Sequence, residues 1–171
     1  MDKNKLREKY KKIRSSETST HLPFLNLEKS QVFKDANVIM GYQSINNEPY
    51  VPADISGKTV VLPVTDIKKG VITPYTFKSL KKGEYNIDEP AGGEQYLGKI
   101  DLIIVPGICF NKRGYRVGYG KGFYDKFLKG TKAVKVGLCY ESLITDENFE
   151  QEFDINVDYI ATEKALYKVE I

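Results

Sequence analysis

The chain has 171 residues, 41% of them hydrophobic and 29% charged, with a formal net charge of +3. No apolar run nears the roughly 20 residues that a bilayer-spanning helix needs, and the mild charge permits an anionic ligand without demanding nucleic acid. The length fits a single domain over residues 1–171 with one substantial core.

The opening residues, MDKNKLREKYKKIR, contain no apolar stretch of the kind a secretory signal carries, so cytoplasmic residence is the expectation. They read instead as a helix from Asp2 to about Arg14. Leu6, Tyr10 and Ile13 form an apolar stripe, with Lys3, Arg7, Lys11 and Arg14 on an adjoining face. A Ser/Thr-rich break at 15–20 precedes a second helix, expected over about Leu22 to Phe33. Short apolar runs follow. Val38 to Tyr42 and Thr59 to Val64 read as strands, and Val71 to Phe77 as an edge strand, because Pro74 has no N–H to donate. Ile100 to Val105 is nearly continuous β-branched and aliphatic, as parallel strands covered on both faces are. Val134 to Tyr140 and Tyr159 to Thr162 complete the strands. Helical patterns lie at about Gly122 to Leu128 and near Asp146 to Gln151. Strands alternating with helices predict an α/β fold, a three-layer sandwich around a largely parallel, Rossmann-like sheet. Cys109 and Cys139 both fall in apolar strand-like contexts and read as buried thiols.

The stretch DLIIVPGICFNKRGYRVGYGKGFYDKFL, from Asp101 to Leu128, carries the most chemistry. A buried strand ends at Pro106-Gly107, a loop follows with Gly114, Gly118, Gly120 and Gly122, and a short helix begins near Phe123. Glycines let backbone N–H groups approach an anion without a Cβ in the way. A helix start adds free donors and partial positive charge. Ligands of open α/β sheets bind at the carboxyl ends of strands, where this loop should lie. The pattern is neither Walker nor Rossmann: Lys121 is followed by Gly122 rather than Ser or Thr. On residue chemistry alone two readings stand, an anion cradle and a glycine-rich turn with solvated lysines. Asp125 likewise either complements the helix dipole or holds Mg²⁺.

The same stretch resembles the signature of the 5-formyltetrahydrofolate cyclo-ligase family. The matching residues are Asp101, Pro106, Gly107, Phe110, Gly114, Arg116, Gly118, Gly120, Gly122, Phe123, Tyr124 and Asp125. Lys3, Leu6 and Arg7 resemble the family's N-terminal K-x-x-L-R element. Tyr42, Ser44 and Glu48 are similar to its early strand and following acid; Gly83, Ile87, Glu89 and Pro90 to its G-x-x-x-I-x-E-P element; and Asp154, Asp158, Thr162 and Glu163 to its carboxyl-terminal element. Three departures stand out. Asn111 replaces a frequent Asp, Phe153 a frequent His, and the stretch from Val51 to Lys58 is too short for the helix many members carry.

The resemblance implies an ATP- and Mg²⁺-dependent ligase that closes 5-formyltetrahydrofolate to 5,10-methenyltetrahydrofolate. Its partners would be ATP and a reduced folate, with no nucleic acid or membrane, and it would be a monomer or weak dimer. ATP contacts are implied for Lys3, Arg7, Arg116, Val117, Gly118, Tyr119, Gly120, Lys121, Gly122, Phe123 and Tyr124, with Lys121 and Arg116 acting on the transferring phosphoryl group. Folate contacts are implied for Gln43, Glu48 and the stretch from Tyr119 to Phe123, which includes Gly120, Lys121 and Gly122. Asp125 and Asp154 are the implied Mg²⁺ ligands. His21 reads as a surface residue in a loop between helices. Two rival classes remain open on the residues alone: an RNA-binding module, given the basic helix and Tyr-containing loop, and an α/β enzyme acting on a phosphorylated small molecule without ATP.

Overall fold

The computed structural model describes residues 2–83 and 87–170. In chain order the elements are α1 (Lys3–Ser15), α2 (Leu22–Glu28), α3 (Gln31–Asp35), β1 (Val38–Met40), β2 (Thr59–Asp66), β3 (Val71–Tyr75), β4 (Ser79–Lys82), β5 (Asp88–Ala91), β6 (Leu102–Val105), β7 (Cys109–Asn111), β8 (Arg116–Val117), α4 (Phe123–Leu128), β9 (Val134–Leu138), β10 (Ile144–Thr145), β11 (Tyr159–Ala161) and β12 (Leu166–Lys168).

Among the described residues, seven strands form the central sheet in the order β12-β11-β9-β6-β1-β2-β3. The five inner strands pair in parallel, and the two edge strands, β12 and β3, are antiparallel. Period-two alternation builds the layers. Ile103 and Val105 of β6 face a core shared with Leu6 and Tyr10 of α1 and Leu128 of α4. Leu102 and Ile104 face the other core, with Phe24 and Leu27 of α2 and Phe33 of α3. This is the expected three-layer arrangement. Its register is pinned at the strand starts by Asp101, whose Oδ2 accepts the N–H groups of Asn37 and Val38 at 3.0 and 2.9 Å.

Two helical expectations are corrected. The helix expected over Leu22 to Phe33 is two helices. Ser30 ends the first by donating its hydroxyl to the Leu27 carbonyl at 2.6 Å and caps the second by accepting the Phe33 N–H at 3.2 Å. The segment near Asp146 to Gln151 is not helical; the regular turn lies just upstream as a 3-10 turn over Glu141–Leu143. Side chains divert its backbone: the Thr145 hydroxyl accepts the Glu147 N–H, and the Glu150 carboxylate accepts the Phe149 N–H. Three short strands, β10, β7 and β8, form a small second sheet that carries the glycine loop away from the end of β6.

Candidate functional site

A cavity of about 650 Å³ opens beyond the carboxyl ends of β1 and β6 and runs along β2, the end of the sheet where ligands of open α/β folds bind. Three segments far apart in sequence contribute much of its wall: α1, the loop after β1, and the glycine loop between β8 and α4. Lys3, Arg7, Gln43, Glu48, Arg116, Asp154 and every residue from Gly118 to Asp125 face it. Val117 does not. Its side chain is fully buried in the core, and its carbonyl accepts the Ile108 N–H at 2.7 Å. The alternation of β8 turns Arg116 toward the cavity and Val117 away from it.

The helix and the loop are fastened together. Arg7 Nε donates to the Gly118 carbonyl at 2.8 Å, and the Lys3 ammonium lies 2.5 Å from Asp154 Oδ2. Gly120 and Gly122 have φ of 95° and 69°, the left-handed region where a Cβ is costly. The backbone N–H groups of Tyr119, Gly120, Lys121 and Gly122 donate to no protein group among the described residues. Together they form an unpaired row of donors on the cavity wall. Helix α4 has only six residues, so the chemistry at this end of the cavity rests on the loop donors and the nearby cations, which suit an anion, more than on a helix dipole. Burial pulls the Arg116 guanidinium below its ordinary value, while Asp125, Tyr124, Asp154 and Glu48 favour its charge. It donates to the Pro106 carbonyl at 3.2 Å and lies 5.2 Å from the centre of the Tyr124 ring.

The opposite end is built around Glu48, which is 3% exposed. Asn46 and Asn47 adopt left-handed backbone at φ of 50° and 65° to turn the loop. The loop is tied down by Ser19, which donates to the Glu48 carbonyl, and by Tyr140, which donates to the Asn47 carbonyl. Glu48 Oε1 accepts the Ile45 N–H at 3.0 Å, and Oε2 faces the Tyr119 hydroxyl at 3.4 Å. Burial raises the Glu48 carboxyl to about 7, against the Ile45 N–H, Arg14 and Tyr119, which favour the anion. The Lys11 ammonium and the Arg14 guanidinium lie over the Tyr119 ring at 5.6 and 5.5 Å from its centre.

Two residues at the site were missed in the sequence reading. Arg14, on the basic face of α1, is 2% exposed and donates to the Tyr119 hydroxyl at 2.6 Å. Its signal was present in the spacing from Lys3 and Arg7, but its partners come from distant loops. Glu89 lines the cavity, is 5% exposed, and accepts the Thr65 N–H at 3.2 Å. Among the described residues no three His, Cys, Asp or Glu side chains gather into a cation cage. Asp125 and Asp154 nevertheless offer carboxylate oxygens on one wall.

The model of the 5-formyltetrahydrofolate cyclo-ligase family matches residues 2–163. A Mus musculus protein named 5-formyltetrahydrofolate cyclo-ligase is 36% identical over 95 residues, which are 49% of this chain and 47% of that protein. The chain thus spans about half the length of this curated relative. An NMR structure of Aquifex aeolicus 5,10-methenyltetrahydrofolate synthetase superimposes with a TM-score of 0.82 at 30% identity, covering 100% of this chain and 94% of that one. A Mycoplasma pneumoniae 5,10-methenyltetrahydrofolate synthetase shares the fold at a TM-score of 0.73 and 20% identity, covering 95% and 99%.

Proposed function

Because this chain belongs to the 5-formyltetrahydrofolate cyclo-ligase family, we propose that it converts 5-formyltetrahydrofolate to 5,10-methenyltetrahydrofolate while ATP becomes ADP and phosphate. The observation that carries this reading is the meeting, in one cavity, of a cationic glycine loop with a buried carboxylate. Lys3, Arg7, Arg116 and Lys121 suit a triphosphate, and Glu48 with Gln43 suits the polar edge of a pterin.

The chemistry needs both ends. A formyl group on nitrogen is amide-like, a weak electrophile whose oxygen leaves poorly. Transfer of the γ-phosphoryl group to that oxygen corrects both faults. The neighbouring side-arm nitrogen then attacks the formyl carbon and loses its proton to solvent, the five-membered ring closes, and the C–O bond breaks as phosphate departs. Such a transfer asks the protein chiefly for alignment and positive electrostatics. In this reading the N–H groups of the glycine loop, Lys3 and Arg7 bind the triphosphate. Lys121 and Arg116 neutralise the charge that gathers during transfer, and Glu48 orients the pterin by accepting its amino and ring N–H groups. No protein nucleophile is required.

Mg²⁺, when bound, would neutralise phosphate charge and fix its geometry. It takes hard oxygen donors, commonly one or two carboxylates with phosphate oxygens. Asp125 and Asp154 would hold it, and the set fits: both are carboxylates on the cavity wall, and Asp154 already balances a cation, the Lys3 ammonium.

The test is direct. Protein incubated with Mg-ATP and 5-formyltetrahydrofolate is followed for methenyl product and ADP together. The expected outcome is stoichiometric, mutually dependent formation of both. Folded protein that makes neither, or that hydrolyses ATP without folate turnover, removes the proposal.

A further inference from the structure

The guanidinium of Arg14 sits where a charge is costly unless it is paired. It is 2% exposed, and it lies seven residues beyond Arg7 and eleven beyond Lys3, the same face of α1 at 3.6 residues per turn. Its nearest polar side chains among the described residues are Tyr119 and Glu48. Nη2 donates to the Tyr119 hydroxyl at 2.6 Å, and that hydroxyl faces Glu48 Oε2 at 3.4 Å. Nη1 lies 3.7 Å from the same oxygen, beyond hydrogen-bond length, and has no hydrogen-bond partner among the described residues. A buried cation is therefore spent on one carboxylate without saturating it. A carboxylate has about four acceptor positions. Here the Ile45 N–H fills one on Oε1, while Oε2 is approached only at long range.

We propose that Arg14 is a positioning residue for the folate end of the cavity: directly and through Tyr119 it holds Glu48 aimed at the ligand and in its anionic, fully accepting form. This rests on the reading of the cavity as a folate site. A pterin edge offers adjacent N–H donors, and only an ionised carboxylate accepts both; a protonated one spends an oxygen on its own O–H. Burial drives Glu48 toward protonation, up to about 7. The other ionisable groups facing it are Arg116 and the phenols of Tyr42, Tyr119 and Tyr124, and all three phenols are raised by burial and so stay neutral. Arg14 is the one cation in the hydrogen-bonded chain that ends on Glu48, and after the Ile45 N–H its charge is the strongest influence favouring the anion, ahead of Tyr119 and Arg116. Lys3, Arg7 and Lys121 serve the other end of the cavity.

The experiment compares wild-type protein with Arg14→Met, Arg14→Lys and Tyr119→Phe. Binding of 5-formyltetrahydrofolate without ATP is measured from pH 5.5 to 9, the Glu48 carboxyl is followed by ¹³C NMR in ligand-free protein, and KM is separated from kcat. In wild type, both affinity and the carboxyl resonance should titrate with a midpoint near 7. In Arg14→Met the midpoint should rise by about one unit or more, since an opposite charge at this range is worth roughly 1–3 units. Binding at pH 7 then weakens about fivefold for a shift of about one unit, as the ionised fraction falls from about a half to about a tenth, and the loss falls on KM rather than kcat. Arg14→Lys should return most of the shift. Tyr119→Phe, which breaks the relay and leaves the charge, should move the midpoint upward by less. Equal losses at every pH in Arg14→Met and Arg14→Lys, or a carboxyl midpoint unmoved in both Arg14→Met and Tyr119→Phe, would overturn the proposal. Wild-type protein whose Glu48 titrates as expected but which binds no reduced folate would instead overturn the folate reading of the cavity.

Discussion

Lys121 is exposed on the glycine loop and forms no ion pair among the described residues, whereas Lys3 is engaged with Asp154. A free ammonium on a flexible stem beside a row of backbone donors is suited to meet a phosphoryl group as its charge shifts. Lys121→Ala should lower kcat by roughly 10- to 1000-fold with little change in folding. Steady-state kinetics at saturating ATP measures this, and a near-normal kcat removes Lys121 from the chemistry. Single residues were legible in the sequence where the signal was local. Lys3 and Arg7 share a helix face, and the loop glycines cluster within a few positions. Departures from the family pattern become intelligible only in three dimensions. Asn111 accepts the Arg113 and Tyr115 N–H groups and donates its amide to the Glu150 carboxylate at 3.1 Å and the Glu147 carbonyl at 3.3 Å. An Asp there would lack that donor and would set a second carboxylate against Glu150. Phe153, by contrast, is 79% exposed, and nothing in the structure explains it.

At the level of elements, β9 threads a narrow gap beneath the ring of Phe110. A Cβ built on Gly137 would lie 2.5 Å from that ring, and Phe110 is itself fully buried between β7 and the sheet. Neither partner can give way easily, so Gly137→Ala should destabilise the fold by about 1–3 kcal/mol through overpacking. Chemical denaturation measures the loss, and Phe110→Leu in the same background should recover part of it. Such contacts between strands distant in sequence leave no periodic trace. The inner strands were legible because each is a dense aliphatic run covered on both faces. The small sheet of β7, β8 and β10 was not, since strands of two or three residues carry too little pattern. The helix expected near Asp146 to Gln151 failed for a related reason. Its composition allows a helix, but Thr145 and Glu150 bind the neighbouring backbone, and Glu150 is drawn to Arg113 at 2.7 Å.

For the whole molecule, the buried Glu48 couples stability to pH. Its carboxyl stands near 7 in the folded protein against 4.5 ordinarily, because burial disfavours the anion. Between those values the folded chain holds a proton that the unfolded chain has released. Stability should therefore fall as pH rises from about 4.5 through 7, by up to ~3 kcal/mol from this group alone. Asp101 is held low by the N–H groups of Val38 and Asn37, and its contribution is lost only below about pH 4. Unfolding free energies measured from pH 5 to 8 should show the downward slope in wild type and a flattened one in Glu48→Gln. Equal slopes would place the charge of Glu48 in water-like surroundings. The layered architecture was legible because hydrophobic alternation is a property of the entire chain. The depth at which one loop acid is buried was not, because it depends on how α1, the loop after β1 and the glycine loop close over it.

The two walls of the cavity differ in how they can move. Leu6 and Tyr10 root α1 in the core at 0% and 6% exposure, so swinging that helix outward would strip apolar surface into water. The facing segment from Gly118 to Gly122 has no such apolar root: it is held by the Arg7–Gly118 and Arg14–Tyr119 hydrogen bonds and turns on left-handed glycines. The two jaws therefore differ in what opening would cost: buried apolar surface on the helix side, a pair of polar ties on the glycine side.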